Sequence, residues 1–98
     1  MAERVLRLLR IRGRVQGVGY RAFVHEQATR LKLCGWARNR RDGSVEVLVS
    51  GNASAAEALI ELLRRGPPGA RVADIMEDNA ALDALAGYGD SFGILPTL

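Results

Sequence analysis

The sequence predicts an α+β sandwich of the split βαβ type, a β-α-β-β-α-β chain that folds two helices onto one face of an antiparallel sheet. Three observations predict it. Apolar residues alternate in some segments and recur at helical spacing in others. An Asp42-Gly43 turn signal separates two short apolar runs and marks a β-hairpin between the two helical segments. The chain has 98 residues, 48% hydrophobic and 26% charged, which suffices for one core and no second domain.

The first strand is expected over residues 5–15, where Val5, Leu9, Ile11 and Val15 share one parity and Arg10, Arg12 and Arg14 the other. One face is therefore buried and the other wet. Gln16-Gly17-Val18-Gly19 breaks the alternation with two glycines and is read as a loop. Residues 20–33 carry the helical spacing Phe23/Val24, Ala28 and Leu31, with Glu26 and Arg30 paired at i,i+4 and an end near Gly35, read as a helix stop or a strand lead-in.

Strands at 36–40 and 44–50 flank the turn, and chemistry selects their register. A two-residue loop would set Asn39 against Glu46 and put Arg38 on the face of Val45, Val47 and Val49. A three-residue loop with Gly43 in the left-handed region sets Arg38 against Glu46 and Arg40 against Ser44 instead. That register is preferred, and it leaves a polar Asn39 at the end of an apolar face.

Asn52 and Ser54 are rival N-caps for the second helix, with Glu57 three residues after Ser54 as in a capping box. Ala55, Ala58, Leu59, Leu62 and Leu63 form its apolar face, and Gly66-Pro67-Pro68-Gly69 closes it. A strand follows over 72–77, then a loop with a helical turn over 78–90. A short last strand over 91–95 alternates Phe92 and Ile94. Pro96 cannot donate a ladder hydrogen bond, so that strand stops there or lies at an edge.

Composition narrows the function classes. A net charge of +3 and an ordinary apolar fraction exclude a disordered chain. No apolar run approaches the roughly 20 residues a bilayer needs, so no membrane association is expected. The opening MAERVLRLLRIRGR has no apolar core of a signal peptide. Cys34 is alone, which excludes an internal disulfide and a zinc site built on cysteines, and a cytoplasmic location is expected. Residues 1–41 carry a balance of +9 and residues 42–98 one of −6. Thirteen of the 14 basic side chains are Arg, whose fork suits carboxylate or phosphate.

The chemistry concentrates in Val15-Gln16-Gly17-Val18-Gly19-Tyr20-Arg21, which runs from a strand into a helix N-terminus. Glycines there free backbone N–H groups to converge, and the helix start adds about half a positive charge. Such a nest suits an anion. Arg21, in the first turn, can offer a bidentate fork to a phosphate over the same cradle, and Asn39 is expected within reach of the same ligand. The loop lacks the Lys and Ser/Thr of a P-loop and the G-x-G-x-x-G of a dinucleotide fold. On the pattern alone, the glycines equally suit a tight turn.

The segments GRVQGVGYR (13–21), GWARN (35–39), DGSVEV (42–47) and GPPGARV (66–72) stand in the order and spacing of the acylphosphatase family, which the chain closely resembles over about residues 5–75. Phe92 and Ile94 suit the family's final F-x-I strand, whereas Leu95-Pro96-Thr97-Leu98 replaces its usual polar or basic ending. The resemblance implies a ferredoxin-like sandwich and hydrolysis of small acyl phosphates to a carboxylate and inorganic phosphate, without metal or cofactor. Arg21 matches the family's phosphate-binding arginine and Asn39 the asparagine that orients the attacking water. The backbone amides of Gln16, Gly17, Val18, Gly19 and Tyr20 match the phosphate cradle. Inorganic phosphate is then expected as product and competitive inhibitor, and the enzyme as a monomer. A carboxylate leaves readily, so the lack of His or acidic residues in the two site segments suits this chemistry. Arg10, Arg12 and Arg14 are expected to raise the potential that draws in an anion.

Other residues are set aside. His25 follows Arg21 by one helical turn but has polar neighbours and lies outside the motif, so it is read as solvated. Cys34 and Tyr20 are read as packing residues, and Trp36 as packing on or covering the sheet. Nucleic acid is not expected, because the strands at 5–15 and 44–50 carry no aromatic residue on which a base could stack.

Overall fold

Five strands form one sheet in the order β4-β1-β3-β2-β5. In chain order they are β1 (Arg4–Arg14), β2 (Cys34–Asn39), β3 (Val45–Asn52), β4 (Arg71–Asp78) and β5 (Phe92–Ile94); the helices are α1 (Tyr20–Arg30) and α2 (Ala53–Arg65). The computed structural model describes residues 3–78, 80–85 and 87–98, with Leu82 in its backbone alone. Of the expected loop at 78–90, Asn79 and Ala86 lie outside the described residues, and a 3-10 turn at Leu82–Leu85 occupies its middle.

Strand parity decides the core. Leu9 and Ile11 of β1 are fully buried, as are Val45, Val47 and Val49 of β3 and Ala37 of β2. Val24 and Ala28 of α1 and Ala56, Leu59, Ile60 and Leu63 of α2 fill the space against that face. Both helices thus lie on one side of the sheet; on α2 the buried face runs through Ala56, Leu59, Ile60 and Leu63, and Ala58, expected on it, is exposed.

The hairpin takes the expected three-residue register. Arg38 stands opposite Glu46 and Asn39 opposite Val45, Gly43 is left-handed at φ 93°, and the Arg40 N–H donates to the Ser44 carbonyl at 2.8 Å. Beneath it, on the other face, the buried Glu46 carboxylate takes Arg38 Nε at 2.8 Å, Arg40 Nη1 at 3.4 Å and Arg10 Nη2 at 3.9 Å. A buried carboxylate is tolerated when paired in this way. At the turn, Asp42 Oδ1 accepts from Ser44 N at 2.9 Å and Ser44 Oγ at 2.6 Å. Both bonds favour the ionised form and hold the Asp42 carboxyl below its ordinary range.

Asn52, not Ser54, caps α2. Its Oδ1 accepts from Ser54 N at 2.8 Å and Ala55 N at 3.4 Å, and Ser54 Oγ turns back to the same oxygen. Glu57 bonds Arg7 at 2.8 Å, across from β1.

Two features differ from the sequence expectation. First, α1 ends at Arg30 because Lys32 turns left-handed (φ 58°), the Leu33 N–H reaching back to the Ala28 carbonyl at 2.9 Å and that of Lys32 to Thr29 at 3.1 Å. This is a Schellman closure with lysine in the usual glycine position. Gly35 is the strand lead-in of the two readings, lying at the start of β2, where a side chain would strike the Leu48 backbone.

Second, the sheet is mixed and not antiparallel throughout: β5 pairs parallel to β2, Gly35 with Phe92 and Ala37 with Ile94. The reason is topological. β1 runs antiparallel to β3 and β4, and β2 antiparallel to β3, so β4 ends at the end of the sheet where β2 starts, and a β5 that the connection enters from that end runs parallel to β2. The Trp36 indole donates to the Ala84 carbonyl in that connection at 2.8 Å. As expected, β5 stops before Pro96 at an edge. Beyond it the tail still follows β2, with Leu95 N–H on the Ala37 carbonyl (2.9 Å) and Leu98 N–H on that of Asn39 (3.1 Å).

Candidate active site

Val15, buried at the end of β1, is the last residue before the chain leaves the core. Gly17 and Gly19 then take left-handed backbone angles, φ 75° and 77°. Only glycine adopts these without strain, which explains the two glycines of the motif. Gly19 is the N-cap of α1 and provides no side-chain cap, and the Phe23 N–H is bonded to the Gly19 carbonyl at 3.0 Å. The N–H groups ahead of Phe23 have no helical partner. No acidic residue stands in the first turn, so the positive end of the helix is not neutralised. A loop and helix start of this kind form an anion cradle.

Asn39 reaches the cradle through the sheet. It is the last residue of β2 and pairs with Val45, which pairs on its other side with Ile11 of β1. Two strand spacings, about 10 Å, therefore separate it from the strand that delivers the loop. Gln16, Gly17, Gly19, Tyr20, Arg21 and Asn39 border one cleft of about 220 Å³, and Ile94 of β5 also lines it. Val18 alone of the expected cradle residues does not line it; its side chain packs against the core. The Tyr20 ring is also buried, its hydroxyl donating to the Leu63 carbonyl at 2.7 Å, and burial pushes its phenol pKa up.

Arg10 and Arg12, of opposite parity to the buried Leu9 and Ile11, project from the other face of the sheet and do not line this cleft. Arg12 grips Asp74 with Nε at 2.9 Å and Nη2 at 2.7 Å, and Arg10 leans on Glu46. The expected contribution of Arg12 to the field is therefore offset by Asp74, while that of Arg10 is offset only in part by a Glu46 that Arg38 and Arg40 hold more closely. Arg21, among the described residues, has no carboxylate partner and borders the cleft. His25 is exposed and sits edge-on to the Phe92 ring, 6.2 Å between centroids, outside the cleft lining.

One contribution has no signal in the local sequence. The Gln16 side chain donates through Nε2 to the Arg40 and Ser44 carbonyls, both at 2.8 Å. These partners lie 24 and 28 residues away, so only the hairpin register discloses them.

The arrangement pairs an anion cradle and an unpaired arginine with a carboxamide facing the same space. The acylphosphatase family model matches residues 8–94. An acylphosphatase of Rhodopseudomonas palustris (strain BisB18) is 52% identical over 96 residues, 96% of this chain and 97% of its own. One of Bradyrhizobium diazoefficiens is 47% identical over 100 residues and the full length of both chains. The crystal structure of acylphosphatase from Bacillus subtilis superposes with a TM-score of 0.79 at 37% identity, covering 93% of this chain and 99% of that one. On sequence, ferredoxin-like fold and the likeness of its solved relatives, the chain belongs to the acylphosphatase family and hydrolyses acyl phosphates.

Proposed function

We propose that Arg21 and the backbone amides of Gln16 through Tyr20 hold the phosphoryl group and that the Asn39 carboxamide orients the water that attacks it. Water adds to phosphorus as the bond to the acyl oxygen breaks, releasing a carboxylate and inorganic phosphate. The carboxylate is stable as it departs, so no strong general acid is required. What the step does need is charge neutralisation on the phosphoryl oxygens and a water held in line. The observation that carries this reading is the single cleft bordered by the left-handed glycine loop, Arg21 and Asn39. Its lining holds no His, Cys, Asp or Glu, so the proposed chemistry runs through cations and amides, without a metal.

Inorganic phosphate is proposed to bind the same cradle and compete with substrate. The proposed machinery, Arg21, the loop amides and Asn39, is complete within this chain and needs no residue from a second subunit, and a monomer in the cytoplasm is proposed as the working form. No helix among the described residues is long and apolar enough to cross a membrane.

Hydrolysis of benzoyl phosphate tests the mechanism. Turnover is expected to persist with a chelator present and to be inhibited competitively by phosphate; chelator sensitivity would overturn the metal-free step. Arg21→Ala is expected to lose about 100- to 1,000-fold in turnover with the fold retained, the usual cost of removing an electrostatic stabiliser. Asn39→Ala is expected to lose turnover while keeping phosphate affinity. Loss of both in the Asn39 variant would assign that residue to structure instead.

A further inference from the structure

We propose that Gln16 is a positioning residue: its carboxamide fixes the strand end that carries Asn39 against the phosphate cradle. The proposal rests on the role of Asn39 given above.

The Gln16 Nε2 group has two hydrogens, and it spends them on the carbonyls of Arg40 and Ser44, both at 2.8 Å. These two residues form the closing pair of the β2–β3 hairpin. Arg40 directly follows Asn39, and Ser44 directly precedes Val45, the cross-strand partner of Asn39. The bonds thus clasp the hairpin on both strands at the point where Asn39 enters the cleft.

The hairpin also closes through backbone bonds of its own. The Arg40 carbonyl already accepts from the Gly43 N–H at 3.1 Å, and the Ser44 carbonyl from the Arg40 N–H at 2.8 Å. Carbonyl oxygens have two lone pairs, so Gln16 occupies the second site on each and orphans nothing if removed. What the two bonds add is the distance and orientation between two otherwise separate segments. That matters because the cradle loop turns on two left-handed glycines. Among the described residues no other side chain of residues 16–19 makes a hydrogen bond. The far side of Asn39 is held independently by Leu98, whose N–H donates to the Asn39 carbonyl and whose carbonyl accepts from Arg41 N–H, both at 3.1 Å. Among the described residues, Gln16 alone links that strand end to the loop by side-chain hydrogen bonds.

Gln16→Met keeps the length of the side chain and deletes both donors. Its kcat on benzoyl phosphate is expected to fall about 10- to 100-fold, the scale of a misplaced reacting group. Its inhibition constant for inorganic phosphate should stay within about twofold of the native value, because the amides and Arg21 remain. In the Asn39→Ala background the same substitution should cost no further turnover, since a residue acting through Asn39 has nothing left to position. Gln16→Glu supplies a second readout. Its carboxylate would face two carbonyl oxygens, which disfavours the charged form, so its kcat relative to the native enzyme should recover as pH falls and the protonated carboxyl regains one donor.

Unchanged kcat in Gln16→Met overturns the proposal, as does a parallel loss of phosphate affinity or an equal additional loss in the Asn39→Ala background. Full turnover in Asn39→Ala itself would instead remove the role of Asn39 on which the proposal stands, and the two failures are separately visible.

Discussion

The Leu63 carbonyl would close the last turn of α2 on the N–H of residue 67, but that residue is Pro67 and has no N–H. The Tyr20 hydroxyl takes its place at 2.7 Å, in the buried interior. One side chain at the start of α1 thereby satisfies the end of α2, directly beside Arg21. Tyr20→Phe keeps the ring and leaves the carbonyl unpaired, and is expected to lower stability by about 1–3 kcal/mol, read as a shift in the urea midpoint at constant slope. An unshifted midpoint would mean that water reaches the Leu63 carbonyl. At the same scale, α1 closes on Lys32, ahead of Gly35, because its Schellman bonds hold a left-handed backbone at the lysine, and Gly35 serves as the strand lead-in.

At the level of elements, β2 carries the heaviest constraints. It pairs with β3 on one side and β5 on the other, and it delivers Asn39 at its end. Its second residue, Gly35, sits at φ 132° with the backbone of Leu48 in the space a Cβ would take. Gly35→Ala therefore combines an unfavourable φ with an overlap against backbone, which cannot move aside as a flexible side chain can. A destabilisation of about 2 kcal/mol or more is expected by chemical denaturation, together with reduced kcat as the Asn39 end shifts. Native stability in this variant would show that β2 can slide away from β3 without cost. The mixed sheet belongs to the same scale, because the direction of β5 follows from where β4 ends, and Trp36 secures the crossing segment through Ala84.

Across the whole molecule, the basic first half and acidic second half neutralise each other through long-range pairs. Arg7 meets Glu57 and Glu77 at 2.8 and 2.9 Å, and Arg12 meets Asp74. The Arg12 hydrogen bonds hold the Asp74 carboxyl below its ordinary value of 3.8, as Ser44 does for Asp42. A carboxyl group whose pKa is lowered on folding adds stability above its unfolded value and loses it as pH falls through the folded value. The melting temperature is thus expected to hold from neutral pH to about pH 5 and to fall in more acidic buffer. In Asp74→Asn part of the acid-side fall should disappear, by a small amount because the pair is exposed and screened. A melting curve that rises on acidification would contradict the sign.

The residues themselves determined the element order, the hairpin register and the motif of the loop. Each depends on interactions between near neighbours: alternation of Val45, Val47 and Val49, the Asp42-Gly43 turn, and glycines where φ turns positive. The same local logic placed Asn39 on the apolar face, where it meets the cleft. What tertiary structure alone decided were contacts between segments distant in the chain. Arg12 and Asp74, Gln16 and the Arg40 and Ser44 carbonyls, and Asn39 and Leu98 all pair across intervals that carry no periodicity. Sequence chemistry nominated Arg21 for an anion, and among the described residues the fold brings no carboxylate to it, whereas Arg12 pairs with Asp74 and Arg10 shares Glu46 with Arg38 and Arg40.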